Sequence, residues 1–314
     1  MGPYLLRRLL QFVPVLLLVS VIVFSLSYHM PGDPVRLLMG QNADPMAMEA
    51  KRHELGLDRP FHEQYLSYMG KVVLQADLGI SYAKKGKGVR ELILEKFAVT
   101  LRLAVLATLL SVAAGVAAGV LSAMRPYSWV DYLSILLALL GVSMPVFFLG
   151  FLLFAFVAPA VGLPVSGFED ASLWTQFRSL LLPALALGAL ETALLARLTR
   201  ATMLETLSQD YVRTARAKGL GEWPVVLKHG LRNAAIPIVT VVGANLGGLL
   251  VGAVLTESVF ALPGLGREIV QAIAQRDREL IAGGVLFMAV IFVTMNLLVD
   301  LTYAWFDPRV RLDR

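Results

Sequence analysis

The sequence predicts an all-α protein that crosses a membrane several times. Of its 314 residues, 57% are hydrophobic and only 16% are charged, whereas a soluble domain carries about 25% charged residues. The apolar residues fall into long runs, and a helix of about 20 residues spans the roughly 30 Å hydrocarbon core of a bilayer. The sequence contains no cysteine, so disulfides and thiolate metal sites are excluded. These observations define a polytopic helical membrane protein.

Six apolar runs are predicted to be transmembrane helices, and they set the domain organisation. The runs lie at 9–28, 98–123, 131–158, 180–200, 233–256 and 281–305. We expect residues 1–28 to form an N-terminal anchor helix, because the run is longer than the apolar core of a signal peptide. Residues 29–96 are polar and rich in helix breakers, which predicts an extracytoplasmic segment. Residues 97–305 form the predicted transmembrane domain with a cytoplasmic loop at 201–232, and residues 306–314 form a cytoplasmic tail.

The positive charges predict that both termini lie in the cytoplasm. The 201–232 loop carries five positive side chains, Arg213, Arg216, Lys218, Lys228 and Arg232, and further arginines lie in the tail, Arg309, Arg311 and Arg314. The external segment 159–179 carries only Arg178. Long segments translocate largely regardless of charge, so 29–96 is left out of this comparison. The net charge of +5 therefore reflects the excess of positive residues in the cytoplasmic loops. The chain has no basic domain that would indicate a nucleic-acid partner.

The segment DYVRTARAKGLGEWPVVLKHGLR, residues 210–232, is polar, basic and set between two apolar runs. Asp210, or Ser208 before it, can cap a first short helix, and Gly219 occupies the position of a left-handed C-terminal cap. Pro224 suits the start of a second helix. We expect Arg213, Arg216 and Leu220 to share one side of the first helix. On these grounds alone the segment is either a docking element or a loop whose arginines only orient the chain.

The motif RTARAKG, continued by VLKHGLRNAAIPIVT, resembles the "EAA" loop of permease subunits from binding-protein-dependent ABC importers, in the form found in the dipeptide and oligopeptide branch. Where the general pattern begins Glu-Ala-Ala, this chain has Arg213, Thr214 and Ala215, as that branch does. The resemblance implies a coupling helix that docks into a separate ATPase subunit. The residues it assigns to coupling are Asp210, Tyr211, Arg213, Thr214, Ala215, Arg216, Ala217, Lys218 and Gly219.

A second motif, TESVFALPGLGREIVQAIAQRD at residues 256–277, also resembles these permeases. It places at an external loop the residues Glu257, Phe260, Pro263, Gly264, Leu265, Gly266, Arg276 and Asp277. We expect Pro263-Gly264 to turn the chain and a short helix to follow over 267–275. The element either closes the outer mouth of a pore or only fastens the last two spans together. Arg278-Glu279 stands where the family usually has Tyr-Pro.

No catalytic motif is present, and in particular no phosphate-binding loop for ATP. The resemblance therefore implies a non-enzymatic permease of the bacterial inner membrane, embedded in lipid, with no cofactor of its own. Its implied partners are a second homologous permease, two ATP-binding subunits that hold ATP and Mg²⁺, and an extracytoplasmic peptide-binding protein. Dipeptides, oligopeptides, glutathione and nickel all occur as cargo in this branch. His53 and His62 match no ligand spacing, so no metal site is predicted.

Glu191 is the one acidic residue deep inside a predicted span that matches no charged position of the family. It is either a paired, bundle-facing or interfacial residue or part of the substrate path. Two alternatives to an importer permease stay open from the residues alone. An autonomous secondary carrier or channel would use Glu191 as its titratable site, and a structural or signalling subunit would bind partners without carrying solute.

Overall fold

The computed structural model describes residues 2–40, 43–84 and 87–306, so most of the predicted tail lies outside the described residues. Within this range five helices are long and apolar enough to cross a membrane, and one bent helix pair adds a sixth candidate. The helices α1 to α8 span Gly2–Tyr28, Pro34–Met39, Pro45–Glu54, Phe61–Gln75, Val89–Met124, Trp129–Ser143, Val146–Leu152 and Ala158–Val161. The helices α9 to α14 span Leu173–Leu207, Asp210–Ala217, Glu222–Pro224, Arg232–Val259, Leu265–Gln275 and Arg278–Phe306. The fold is the predicted all-α architecture.

The third predicted span, 131–158, is not one straight helix. It is interrupted after Ser143 and bends by 111° before continuing from Val146. Pro145 lies at the break, and a proline disfavours helical geometry in the residue before it. Met144 is accordingly extended, with φ −89° and ψ 128°. A π-helical turn at Leu153–Val157 distorts the second half further.

The chain divides into two compact units, of which the first comprises residues 1–99 and 263–293. The polar segment 29–96, predicted to be extracytoplasmic, contains the three helices α2, α3 and α4 and the first turns of α5. Asp33 and Asp44 each accept a hydrogen bond from the backbone N–H two residues later, and each precedes a proline at the first helical position. The predicted breakers therefore act as helix-start signals.

The second unit, within the described residues, comprises 100–262 and 294–306 and is built around α9. This helix packs against α6, α7 and α12. Gly115 and Gly119 on α5 let the backbones approach: a β-carbon at Gly115 would lie 2.8 Å from the Thr192 carbonyl oxygen. This pair of glycines thus packs within the subunit, and small residues of this kind let membrane helices approach closely. The two units divide the predicted transmembrane domain 97–305, because its residues 263–293 belong to the first unit. The predicted domain boundaries concern membrane insertion and stay a prediction.

Candidate functional site

The α10 helix is held to its own unit by two small side chains. Val212 is fully buried and Ala215 is 6% exposed, and both pack with Val225 and Leu207. The remaining described side chains of α10 are exposed. The burial of positions three residues apart fits one face of a helix, so α10 is amphipathic with a narrow apolar anchor.

The outward face of α10 and the loop after it combines positive charge with apolar bulk. We call this the loop face, and define it by its exposed residues Tyr211, Arg213, Arg216, Lys218, Leu220 and Trp223. Trp223 is 55% exposed and Leu220 is 44% exposed. Aromatic and arginine side chains are the residues that most often dominate protein interfaces. This surface has the composition of a docking site.

The residue that caps the start of α10 differs from the predicted Asp210 or Ser208. Gln209, with extended backbone, is the N-cap, and no side chain caps the helix there. Asp210 is the first helical residue instead, where its carboxylate still favours the positive end of the helix dipole. At the other end Gly219 has φ +81° and donates its N–H to the Arg216 carbonyl at 2.9 Å. The glycine therefore occupies the predicted left-handed cap.

The α10 helix ends at Ala217, so Leu220 is not on its surface as predicted. Leu220 lies in the loop, and Arg216 turns toward that loop and binds Glu222 through two hydrogen bonds of 2.7 and 3.2 Å. The hydrogen bonds to Glu222 raise the pKa of Arg216 above its usual value. Both side chains are substantially exposed, so the pair orients the loop more than it stabilises the fold.

The loop is tied to the start of α12 by a hydrogen-bond network that sequence reasoning missed. Asn233 donates to the Tyr211 hydroxyl at 2.7 Å and to the His229 carbonyl at 3.2 Å. The π-helical segment Val225–Leu231 leads directly into α12. The network connects α10 to a membrane-spanning helix by hydrogen bonds.

The second predicted site falls partly in the second unit, where its residues are buried. Glu257 is fully buried and accepts a hydrogen bond from the Thr100 hydroxyl at 2.5 Å. Phe260 is 1% exposed and packs edge-on against Phe154. The chain reverses at Ala261, with φ +53°, rather than at Pro263-Gly264, because the end of α12 forms a left-handed cap two residues earlier.

The remaining residues of this motif belong to the first unit. Gly264 is the extended N-cap of α13, which begins at Leu265 rather than at the predicted residue 267. The buried residues of this stretch include Leu265 and Gly266. Arg276, with φ +59°, is the left-handed residue that ends α13. The motif's apolar members thus pack into the unit, while the arginine shapes the backbone.

Asp277 is the centre of a buried polar cluster in the first unit. Its carboxylate accepts hydrogen bonds from the Ser81 hydroxyl, from the Tyr82 N–H at 3.2 Å and from the Ala83 N–H at 3.1 Å. It also accepts from the Leu280 N–H at 3.3 Å and so caps α14. Burial, together with the charge of Glu279, raises the pKa of Tyr82. The geometry indicates that Asp277 fastens the 81–83 segment to the start of α14.

Two charged side chains of the second unit differ sharply in their surroundings. Glu191 on α9 is 3% exposed, and neither carboxyl oxygen has a hydrogen-bond partner in the described part of the chain. The predicted pairing within the bundle is therefore not observed there. Asp131, which sequence reasoning missed, is 1% exposed and binds Arg200 and Ser122. No local pattern in the sequence indicates this cluster, because its members lie on three helices.

The predicted sites are not brought together into a reaction centre. Over residues 2–40, 43–84 and 87–306, no three His, Cys, Asp or Glu side chains cluster closely enough to hold a metal ion. The described residues form membrane-spanning helices and the short amphipathic helix α10, whose exposed face carries basic and aromatic side chains. That combination defines a polytopic membrane protein with an exposed, basic and aromatic loop helix.

Comparison with known families identifies this class more closely. Residues 115–312 match the family "Binding-protein-dependent transport system inner membrane component", and residues 1–104 match its N-terminal companion family. The chain belongs to the binding-protein-dependent transport system inner membrane component family. It is therefore a multi-pass permease subunit of a bacterial ABC importer in the inner membrane, a component that works with ATPase and substrate-binding subunits. Because the chain belongs to this family, it is neither the autonomous secondary carrier or channel nor the structural or signalling subunit that the residues alone had left open.

Two similar permeases align in sequence with nearly the whole chain. The dipeptide transport system permease protein DppB of Alkalihalophilus pseudofirmus is 40% identical, over 98% of this chain and 99% of the relative. The glutathione transport system permease protein GsiC of Escherichia coli is 42% identical, over 98% of each. A crystal structure of an amino acid ABC transporter with histidines has the same fold, with a TM-score of 0.51, 18% identity, and coverage of 70% of this chain and 94% of that one.

Proposed function

We propose that this chain forms half of the translocation pathway of a peptide importer. The supporting relatives are named as dipeptide and glutathione permeases, and both cargoes are small peptides. The other half would be a second homologous permease subunit, and two ATP-binding subunits would hold ATP and Mg²⁺. An external peptide-binding protein would deliver the cargo.

The loop face is the observation that carries the coupling proposal. Its helix is anchored through Val212 and Ala215, so a force applied to the exposed face is transmitted to α9 and to the segment leading into α12. Closure of the ATPase pair would move α10, and the spans attached to it would tilt between inward-open and outward-open states. A loaded binding protein can drive this cycle only by preferring one of these states.

The experiment is gentle extraction of the chain from native membranes, followed by intact-complex mass spectrometry. We expect one copy of this chain with one second permease and two ATPase chains that carry phosphate-binding loops. A complex with two copies of this chain would correct the pairing to a homodimer. A chain that is extracted alone and still carries peptide in liposomes would contradict the proposal.

A further inference from the structure

Glu191 is an acidic side chain in a place where acidic side chains are costly. It lies near the middle of α9, a 35-residue apolar helix, and is 3% exposed. Both carboxyl oxygens are without a hydrogen-bond partner among the residues that the structure describes. A buried carboxylate needs donors or a counter-charge, and ionisable groups inside membrane spans usually mark a substrate path or a partner site.

Glu191 lines a cavity of about 290 Å³ together with residues of α9, α12 and the start of α7. Asn245 also lines the cavity, and its carboxamide bears both a donor and an acceptor. The remaining wall is apolar or consists of glycine, including Gly248 and Gly252. A β-carbon added at Gly248 would meet no atom within 4 Å. The cavity is at the lower end of the size of small-molecule sites, which suits one end of a peptide rather than a whole peptide.

An occupant that keeps this carboxyl group ionised has to supply hydrogen-bond donors and positive charge to the two carboxyl oxygens. A primary ammonium group has three donors on one compact charged atom and can serve both oxygens together. Every ordinary dipeptide carries one such group at its N-terminus, and glutathione carries one α-ammonium group as well. The Asn245 carboxamide can accept from or donate to the adjoining peptide group, and the glycine wall leaves room for side chains of different size.

We infer that the Glu191 cavity binds the α-ammonium group of the peptide during its passage. The inference rests on the proposed function, since it takes a peptide as the cargo. It assigns to the permease itself a selection for free amino termini, separate from any selection by the binding protein. A helix of the second permease that filled the cavity with a donor side chain is the competing occupant, and it is an outcome of the test below.

The test measures binding of two probes to the purified importer complex in nanodiscs, without the binding protein. The probes are dialanine and N-acetyldialanine, which differ in the ammonium group. We expect the wild-type complex to bind dialanine at least tenfold more tightly, because a charge-assisted hydrogen bond is worth about a factor of ten or more. In Glu191→Gln the preference should disappear. Glu205→Gln, the same change at an exposed position of α9, should keep it.

A second variant tests the cavity without changing the carboxyl group. Gly248→Leu places a side chain into the open space beside Glu191, so we expect dialanine binding to fall about tenfold while the complex stays assembled. Val251→Leu, at an exposed position on the same helix, should bind as the wild type does. Unchanged dialanine binding in Gly248→Leu would overturn the inference.

The other outcomes separate this inference from the proposed function. Equal binding of both probes by the wild type, or no binding of either, would overturn the inference even if ATP-driven peptide uptake is intact. Dissociation of the two permease subunits in Glu191→Gln would overturn it in favour of the partner helix. Failure of the proposed function would appear differently, as an absence of ATP-dependent peptide uptake by the wild-type complex in proteoliposomes.

Discussion

Arg200 and Asp131 are joined by two hydrogen bonds of 2.7 Å, although 69 positions of the chain separate them. Asp131 lies in the first turn of α6, and Arg200 lies in the last two turns of α9. The Ser122 hydroxyl on α5 donates to the same carboxylate. Together with Ser122, the pair therefore joins α5, α6 and α9 near the end of α9 that leads into the loop helix α10.

Replacing Asp131 with Asn should destabilise the subunit substantially. The carboxylate is almost completely buried, so the variant leaves the Arg200 guanidinium without its counter-charge. We expect a loss of about 3 kcal/mol, the low end for breaking a buried ion pair, because Arg200 stays partly exposed. Denaturant unfolding of the purified permease measures this. Glu222→Gln, which breaks the exposed pair with Arg216, should cost less than about 1 kcal/mol, and equal losses in both variants would contradict the account.

Replacing Asp277 with Asn should loosen the 81–83 segment. The carboxylate accepts three hydrogen bonds from that segment and one from the start of α14, and an amide offers only one acceptor atom. We expect trypsin to cleave at least tenfold faster after Lys84 in the variant, because the segment opens more often. Asp77→Asn, at an exposed position where one backbone N–H is bound, is the matched control. The same cleavage rate in Asp277→Asn and wild type would show that the cluster does not hold the segment.

The orientation of the chain in the membrane is open to a direct test, because the sequence has no cysteine of its own. Single cysteines can be placed at Ala50, in the predicted external segment, and at Pro126, in a predicted cytoplasmic turn. Both positions are exposed. A membrane-impermeant maleimide should label Ala50→Cys in intact spheroplasts and Pro126→Cys only after permeabilisation. The reverse pattern would reverse the predicted topology.

Local signals were sufficient for much of this fold. The apolar runs located the spans, and the position of Gly219 after a basic turn predicted a left-handed cap, where φ is +81°. The bend in the third span was not predicted, although Pro145 inside the apolar run 131–158 carried a local signal for it. Asp33-Pro34 and Asp44-Pro45 were likewise helix starts rather than breakers.

Long-range relationships could not be predicted from the sequence. The pairing of Arg200 with Asp131 and the cluster around Asp277 depend on which helices pack together, and no spacing in the sequence encodes that. Glu191 was recognised as an unusual charge, but its lack of a partner among the described residues follows from the packing of α9 against α7 and α12. The coupling residues were assigned by resemblance, and their role stays a prediction.

The most direct measurement of the central claim compares peptide uptake with ATP hydrolysis in the same proteoliposomes for Gly219→Pro. Proline cannot adopt φ +81° and lacks the N–H that binds the Arg216 carbonyl, so the end of α10 must change. Gly221→Ala is the control, because Gly221 has φ −64° and an added β-carbon lies 3.8 Å from Pro224. We predict that Gly219→Pro inserts and assembles normally but carries at least tenfold less peptide per ATP hydrolysed. A wild-type ratio of peptide to ATP in Gly219→Pro would contradict the assignment of α10 as the coupling helix.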